Sequence, residues 1–475
     1  MNTIATATPP ATPHAAPAPL LATLAAFGHG LRLDAVPADA RRQAKLCLLD
    51  TLGCMLAGAD TEEGARFLRA EREAIGAPAV AATALPAAAL GRVLGYWGDL
   101  FELNDLIGGH ASIGNVATAL AVARAQRSDG AALLRALIAG LEITSRVSEA
   151  HTRDKKPYPE CGIVSVSVQS AIGASAVAAS LCRLEGPAYA DTLAIAGTIA
   201  SWGPAEVIFG DGGTIKPILF GACPADSAVR AVGYARQGLG GPPRLLESRI
   251  GLFATVARRF DEALLRDDTR WHLLAPQRKL HACCGFTHST IDVIGRLRAR
   301  GIDLAAARRI ELGVPAYIIP AISKPRAPTT PNEARFHIEY CAALAALGAD
   351  VILPAHSTGF AAHMADPALP ALMAKMAVQP IELPPGTGGH LYNHCRVRVE
   401  LADGTAVEEA ETAPRGSHAR PLSEAELFDK FTRLAGPRLA ADRVAACIDR
   451  CMAIEREADL GWLQAIVDEA LGWRG

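Results

Sequence analysis

The sequence predicts a mainly α fold: a large all-helical domain with a smaller inserted α+β domain. Three observations carry this. Half of the 475 residues are hydrophobic but only 5% are aromatic, and alanine supplies much of the apolar share, which favours closely packed helices over a β-rich fold. Apolar residues recur at three- and four-residue spacing through the first half of the chain and again near its end, the period of a helix face. Between residues 271 and 415 alternating and β-branched runs appear instead, the period of strands. The boundaries that follow are a flexible tail at 1–19, a helical domain at 20–270, the α+β lid at 271–415 and a return to the helical domain at 416–475.

Taken in order, the first nineteen residues, MNTIATATPPATPHAAPAP, have neither a basic start nor a continuous apolar segment. They read as a tail and as neither signal nor transit peptide. Helical spacing predicts helices over 20–31, over 37–57 with Gly58 as the stop, and over 86–100; another begins after Ser128, Asp129 and Gly130 and runs to about His151. Short loops between them imply antiparallel neighbours. The stretch SVSVQSAIGASAVAASLCRL at 165–184 is so rich in small residues that it must pack very closely, at the centre of the bundle. ADTLAIAGTIASWG adds another helix. In the lid, RRIELGV, MAVQPIEL and CRVRVELADGTAVEEAE read as strands, with Asp403 and Gly404 as a hairpin turn. FTHSTIDVIGRLRAR and NEARFHIEYCAALAALGA read as the helices between them. Ser423 and Glu426 form a capping box for the helices of the tail.

Composition excludes several function classes. A formal net charge of −2 provides no footprint for nucleic acid or an anionic membrane, and no apolar run reaches the length of a membrane span. Eleven cysteines without a CxxC pair suit a reducing compartment and neither a disulfide framework nor a zinc knuckle. A cytoplasmic protein is the expectation. The basic charge is mostly arginine; the lysines are Lys45, Lys155, Lys156, Lys216, Lys279, Lys324, Lys375 and Lys430. Where so few are kept, each is a candidate for a role that arginine does not fill.

The chemistry is expected in FELNDLIGGHASIGNVATALAVAR, residues 101–124. Glu102, Asn104 and Asp105 are polar side chains among Leu, Ile and Gly, and Gly108 and Gly109 allow a sharp turn before His110. The apolar positions after Ile113 continue as a helix, so the imidazole precedes a helix N-terminus, where partial positive charge favours a bound carboxylate. A histidine titrates near neutrality, and a neighbouring carboxylate orients it. Further along, FGDGGTIKPILFG is no phosphate loop, because Ile215 precedes Lys216 and Pro217 follows it. It reads as a glycine turn delivering Lys216 to the mouth of a helix. RKLHACCGFTHSTID brings Lys279, His281, Cys283, Cys284 and His288 to a helix start; the spacing matches no standard zinc site, and no metal is assigned. TTPNEARFHIEYCAAL places His337 and Tyr340 on one helix.

Together LLDTLGCMLAG, the acidic stretch before His110, GTIKPILFG, KLHACCGFTHSTID and EARFHIEYCAAL, in this order, resemble the MmgE/PrpD family over nearly the whole chain after the tail. The resemblance implies a helical domain and an α+β lid, a homodimer, an active site between the two domains, and no metal or organic cofactor. It places Glu102, Asp105 and His110 in the first active-site stretch, Lys216 in the second, Lys279 and Cys284 on the lid side, and Tyr340 on the lid's helix. The chain departs from the family pattern at Asn104, Asp105 and Leu106, where a paired Asp and a Thr are common, at Ala111, often Pro, and at Leu219, a histidine elsewhere. No counterpart of the family's second histidine stands near Tyr158 or Cys161.

The implied activity is that of a cofactor-independent lyase, a dehydratase or decarboxylase of a small citrate- or aconitate-like polycarboxylate. In it His110, oriented by Asp105, moves the proton. Lys216 and Lys279 hold carboxylates or serve as acid, Tyr340 acts from the opposite face, and Glu102, Asn104 and Cys284 line the substrate. An epimerase of a small dicarboxylate uses the same proton abstraction without a leaving group. A non-catalytic helical dimer that binds an anion or a protein is the alternative from another class.

Overall fold

A computed structural model describes residues 17–76, 85–201, 203–209, 216–383 and 393–472. The longer helices of the first half are α1 (Leu20–Gly30), α2 (Ala38–Ala59), α3 (Glu62–Ala74), α4 (Ala87–Asp99), α5 (Ala111–Gln126), α6 (Gly130–Thr152), α7 (Val166–Leu181), α8 (Gly186–Ile199) and α9 (Cys223–Arg236). Caps set where some of them start: the Thr61 hydroxyl accepts from the Gly64 amide at α3, and the Asp129 carboxylate from the Ala132 amide at α6. Each satisfies an amide that the helix itself leaves unpaired.

Small residues explain why α7 sits in the middle. It packs against α5, α6, α8 and α9, and a Cβ at Gly173 would stand 1.8 Å from the Thr144 hydroxyl and 2.5 Å from the Gly140 carbonyl oxygen of α6. Only glycine permits that crossing. The reading of Gly58 as a helix stop is corrected: α2 continues through it to Ala59. A Cβ there would lie 2.2 Å from the Trp97 carbonyl oxygen, so this glycine serves the contact with α4 and not the end of α2.

The second half supplies α10 (His288–Ala299), β1 (Arg309–Pro315), α11 (Ile338–Ala346), β2 (Met376–Ile381), β3 (Cys395–Glu400) and β4 (Ala406–Glu411). The strands form one sheet in the order β2-β1-β3-β4, with β1 parallel to β2 and antiparallel to β3, and β3 antiparallel to β4. Gly404, at φ +88°, turns the β3–β4 connection. The helix expected over NEARFHIEYCAALAALGA is two. Pro331–Arg335 ends first, and His337 stands before α11 as its N-cap, with Nε2 bonded to the Arg326 carbonyl (3.1 Å) and Nδ1 3.0 Å from a Glu339 carboxylate oxygen. Those bonds hold the imidazole outside the helical path, which sequence periodicity does not register.

The chain then returns through α12 (Glu424–Ala435), α13 (Ala441–Met452) and α14 (Gly461–Ala470). Ser423 and Glu426 form the capping box of α12, and α12 and α13 pack on α2. One continuous apolar core includes Leu49 and Leu52 of α2, Val293 of α10, Leu312 of β1, Val397 of β3 and Phe431 of α12. Residues 1–16 of the expected tail lie outside the described residues; Pro17 and Ala18 give their carbonyls to Arg244 and Arg266. Among the described residues no helix is long and apolar enough to cross a membrane.

Candidate active site

Four segments distant in sequence meet at one buried group of charges. The end of α4 contributes Asp99, the loop after it Glu102, the turn before α9 Lys216, and the segment before α10 Lys279; all four are buried. The Lys216 Nζ lies 2.6 Å from Asp99 Oδ1 and also pairs with Glu102 Oε1. The Lys279 Nζ donates to the other Glu102 oxygen, Oε2, at 2.5 Å and to the Glu102 carbonyl at 2.7 Å. One carboxylate therefore bridges two ammonium groups. Taking charges out of water is costly, and only such pairing keeps them ionised.

Local sequence explains how the groups are brought together. Lys216 and Pro217 open a helical turn that widens into a π-helix at Ile218–Ala222 before α9; π-turns recur at functional sites because they re-aim side chains. Gly221 in that turn meets Gly95 of α4, where a Cβ would lie 2.3 Å from the Gly221 carbonyl oxygen. The glycine pair lets α4 approach closely enough for Asp99 to reach Lys216. The glycines expected to deliver Lys216, Gly210, Gly212 and Gly213, lie outside the described residues.

His110 completes the group. It is the N-cap of α5, at φ +85°, and Glu102 has φ +56°. Of the four described non-glycine residues with positive φ, two thus lie in this one loop. Each such residue costs about 1 kcal/mol or more and persists only where its surroundings over-determine it. The His110 ring stands 5.7 Å from the Phe220 ring centroid, and Lys216 Nζ lies 4.6 Å from the same centroid. Phe220 is a shared floor. His110 Nδ1 is 3.2 Å from Asn104 Oδ1, while Asn104 Nδ2 donates to the Asp105 carbonyl at 2.9 Å. An amide oxygen only accepts, so Nδ1 carries the proton and Nε2 keeps its lone pair. Burial and the Lys279 ammonium hold His110 well below the usual imidazole range, so it is neutral at pH 7. Burial likewise brings Lys216 down to about 8 against the pull of Asp99.

The expected partner of His110 was Asp105, and the structure corrects this. Asp105 turns the other way: its Oδ2 accepts from the Ser112 hydroxyl (2.5 Å), its Oδ1 from the Ile107 amide (3.3 Å), and Arg278 is its nearby charge. Asn104 takes the orienting place. Tyr340 is also directed elsewhere. Its hydroxyl donates to the His356 carbonyl (3.3 Å) and its ring faces Phe360, so it is anchored within the α+β part. Cys284 is buried close enough to Lys279 and Lys216 to feel both ammonium groups, and its amide donates to the Arg335 carbonyl (2.9 Å). Of the four residues of the rejected zinc set, three side chains have partners of their own: His281 pairs with Asp292, His288 with the Cys283 carbonyl, and Cys283 with the Thr287 hydroxyl.

Sequence reasoning missed three contributors. Asp99 was hidden inside a helix, although an acid at a helix C-terminus opposes the macrodipole and was a signal. Lys430 of α12 donates to the Leu103 carbonyl (2.7 Å) and the Lys279 carbonyl (2.8 Å) and pairs with Asp50 (2.6 Å), pinning both active-site strands of backbone. Lysine scarcity was the signal here: Lys45, Lys216, Lys279 and Lys430, half of the eight, are buried. Arg335 is buried beside the Phe101 ring, 5.7 Å from its centroid, and nothing in its sequence surroundings marked it.

Comparison with known proteins gives the same frame. The MmgE/PrpD N-terminal domain matches residues 22–264 and the MmgE/PrpD C-terminal domain matches residues 281–454. The chain is similar to the cis-aconitate decarboxylase of Mus musculus, 27% identical over 363 residues that cover 73% of this chain and 70% of the relative. It is similar to the cis-aconitate decarboxylase of Homo sapiens at 25% over 370 residues, 74% of this chain and 72% of the relative. The cis-aconitate decarboxylase of Aspergillus terreus matches at 24% over 198 residues, 40% of each chain.

Proposed function

The chain belongs to the MmgE/PrpD family, and from that premise we propose that it is a lyase that removes water or carbon dioxide from a small polycarboxylate through a carbanion next to a carboxylate. One observation carries the reading: two buried ammonium groups, Lys216 and Lys279, hold one carboxylate, that of Glu102, beside a neutral imidazole. A carbanion next to a carboxylate spreads its charge onto the carboxylate oxygens. Two ammonium groups fixed in a water-poor site meet that charge without reorganising, and one such donor is worth on the order of a hundredfold or more in rate.

Each residue then has a task. A substrate carboxylate takes the lysine contacts that Glu102 makes, and Glu102 is the partner that keeps both lysines charged until then. His110 Nε2, free to accept, removes the carbon-bound proton in the dehydration case; after carbon dioxide leaves, the Lys216 ammonium, brought down to about 8, gives the carbanion its proton, because the neutral imidazole has none at Nε2; Asn104 holds the imidazole in the accepting tautomer. The group is buried, so entry requires the lid segment bearing Lys279 and Cys284 to part from the loop bearing Glu102, and closure excludes water. The activity for which these relatives are named, decarboxylation of cis-aconitate, supports this class of substrate.

The test is a screen of the purified protein against citrate, 2-methylcitrate, cis- and trans-aconitate and iminodisuccinate. Carbon dioxide or an alkene as product supports the lyase. Deuterium uptake from solvent with no net loss of substrate overturns it in favour of an epimerase, and no turnover of any of them leaves a binding protein.

A further inference from the structure

Asp99 occupies the last position of α4 and is 1% exposed. Its Oδ1 accepts from the Lys216 Nζ at 2.6 Å, while its Oδ2 has no hydrogen-bond partner among the described residues. A buried carboxylate oxygen left bare is expensive, because the water it gave up is not replaced. The cations around it already have partners: Lys216 is shared between Asp99 and Glu102, Lys279 is held by Glu102 through both side chain and backbone, and Arg335 adds a further positive charge nearby. The unpaired oxygen therefore belongs to the carboxylate that holds Lys216, the lysine proposed to receive a substrate carboxylate, and a group that bonds this oxygen as a carboxylate must donate.

We propose that Asp99 makes the enzyme select polycarboxylates bearing a hydroxyl close to the lysine-bound carboxylate, the hydroxyl donating to Asp99 Oδ2, over the corresponding acids without one. This rests on the polycarboxylate reading above and narrows it, since a hydroxy acid is the substrate of a dehydration, whereas an unsaturated acid offers Asp99 no donor. It also gives the departing hydroxyl a polar neighbour. Burial raises the Asp99 carboxyl from its ordinary range and the Lys216 ammonium opposes that; as the carboxylate it accepts from a hydroxyl. A site built to bond a substrate hydroxyl discriminates steeply against the analogue lacking it, because its own polar group is then left unpaired.

The experiment measures binding of two matched pairs, citrate against propane-1,2,3-tricarboxylate and malate against succinate, by calorimetry on the intact protein and on Asp99→Leu. Leucine has nearly the same size and no group that bonds a hydroxyl, whereas the amide of asparagine would still donate to one. The wild type should bind the hydroxylated member of at least one pair about tenfold or more tighter, and Asp99→Leu should bring that ratio to within about threefold, whatever the absolute affinities. Equal binding of both members by the wild type overturns the proposal and leaves the polycarboxylate reading standing, a result that needs no variant to fold. An unchanged ratio in Asp99→Leu, with both members weakened alike, also overturns it and makes Asp99 a positioning residue for Lys216. Failure of the wild type to bind any of the four acids overturns the proposal and the polycarboxylate reading together.

Discussion

Replacing Asp105 with asparagine tests both the electrostatics of the buried loop and the reassignment of the histidine's partner. Asp105 is fully buried, and burial, opposed by Arg278, pushes its carboxyl up to about 6 from an ordinary 3.8. A folded-state value above the unfolded one means that the protonated form favours folding. The stability it provides is complete below about pH 4 and is lost as pH rises through 6. Two units of separation correspond to about 3 kcal/mol, at about 1.4 kcal/mol per unit. Asparagine carries no charge to bury, and its oxygen still accepts from the Ile107 amide while its NH2 group faces the Ser112 hydroxyl, which is able to accept. Asp105→Asn should therefore match the wild type within about 1 kcal/mol at pH 4.5 and exceed its stability by about 2–3 kcal/mol at pH 7.5. Urea unfolding at a series of pH values measures this through the midpoint at constant slope. A variant that is less stable than the wild type at pH 7.5, or a difference that does not grow with pH, would refute the reasoning. In the same variant the pH profile of turnover should keep its shape, since Asp105 does not touch His110.

Asn104→Asp places a carboxylate on His110 Nδ1 in place of a neutral amide. The imidazole, held below its usual range in the wild type, should rise, and the acid limb of kcat/KM should move upward by about one unit or more; an unmoved limb would exclude His110 as the titrating base. Lys279→Met should lower kcat by on the order of a hundredfold or more with the helical circular dichroism retained, and an active variant would remove Lys279 from the site. Gly95→Ala sets a methyl against the Gly221 carbonyl at a nominal 2.3 Å. It should cost about 1–3 kcal/mol of stability and also reduce kcat, because it parts Asp99 from Lys216; a loss of stability with kcat intact would show that the glycine contact does not position the site.

How far the sequence was readable depended on the range of the interaction. Ser423 and Glu426, three residues apart, announced the start of α12, and Asp403 with Gly404 announced the β3–β4 hairpin, because caps and turns are satisfied by residues close in the chain. His110 before α5 and Lys216 before α9 were legible for the same reason. The helix break at His337 was not, since its cause is a bond to Arg326, and Gly58 misled, since its close approach is to Trp97 on another helix.

The sequence by itself determined that this chain folds mainly as packed helices with one small sheet, and which loops carry carboxylates, imidazole and lysine. Those features follow from periodicity, small-residue content and local capping, all written within a few residues of where they act. Only the tertiary structure decided the pairings: that Asn104 and not Asp105 faces the imidazole, that Tyr340 bonds within the α+β part, that Asp99 joins Lys216, and that Lys430 ties the Leu103 and Lys279 backbones together. A buried charge takes whichever partner the packing of distant helices brings within hydrogen-bond reach, and the order of residues along the chain does not encode that distance.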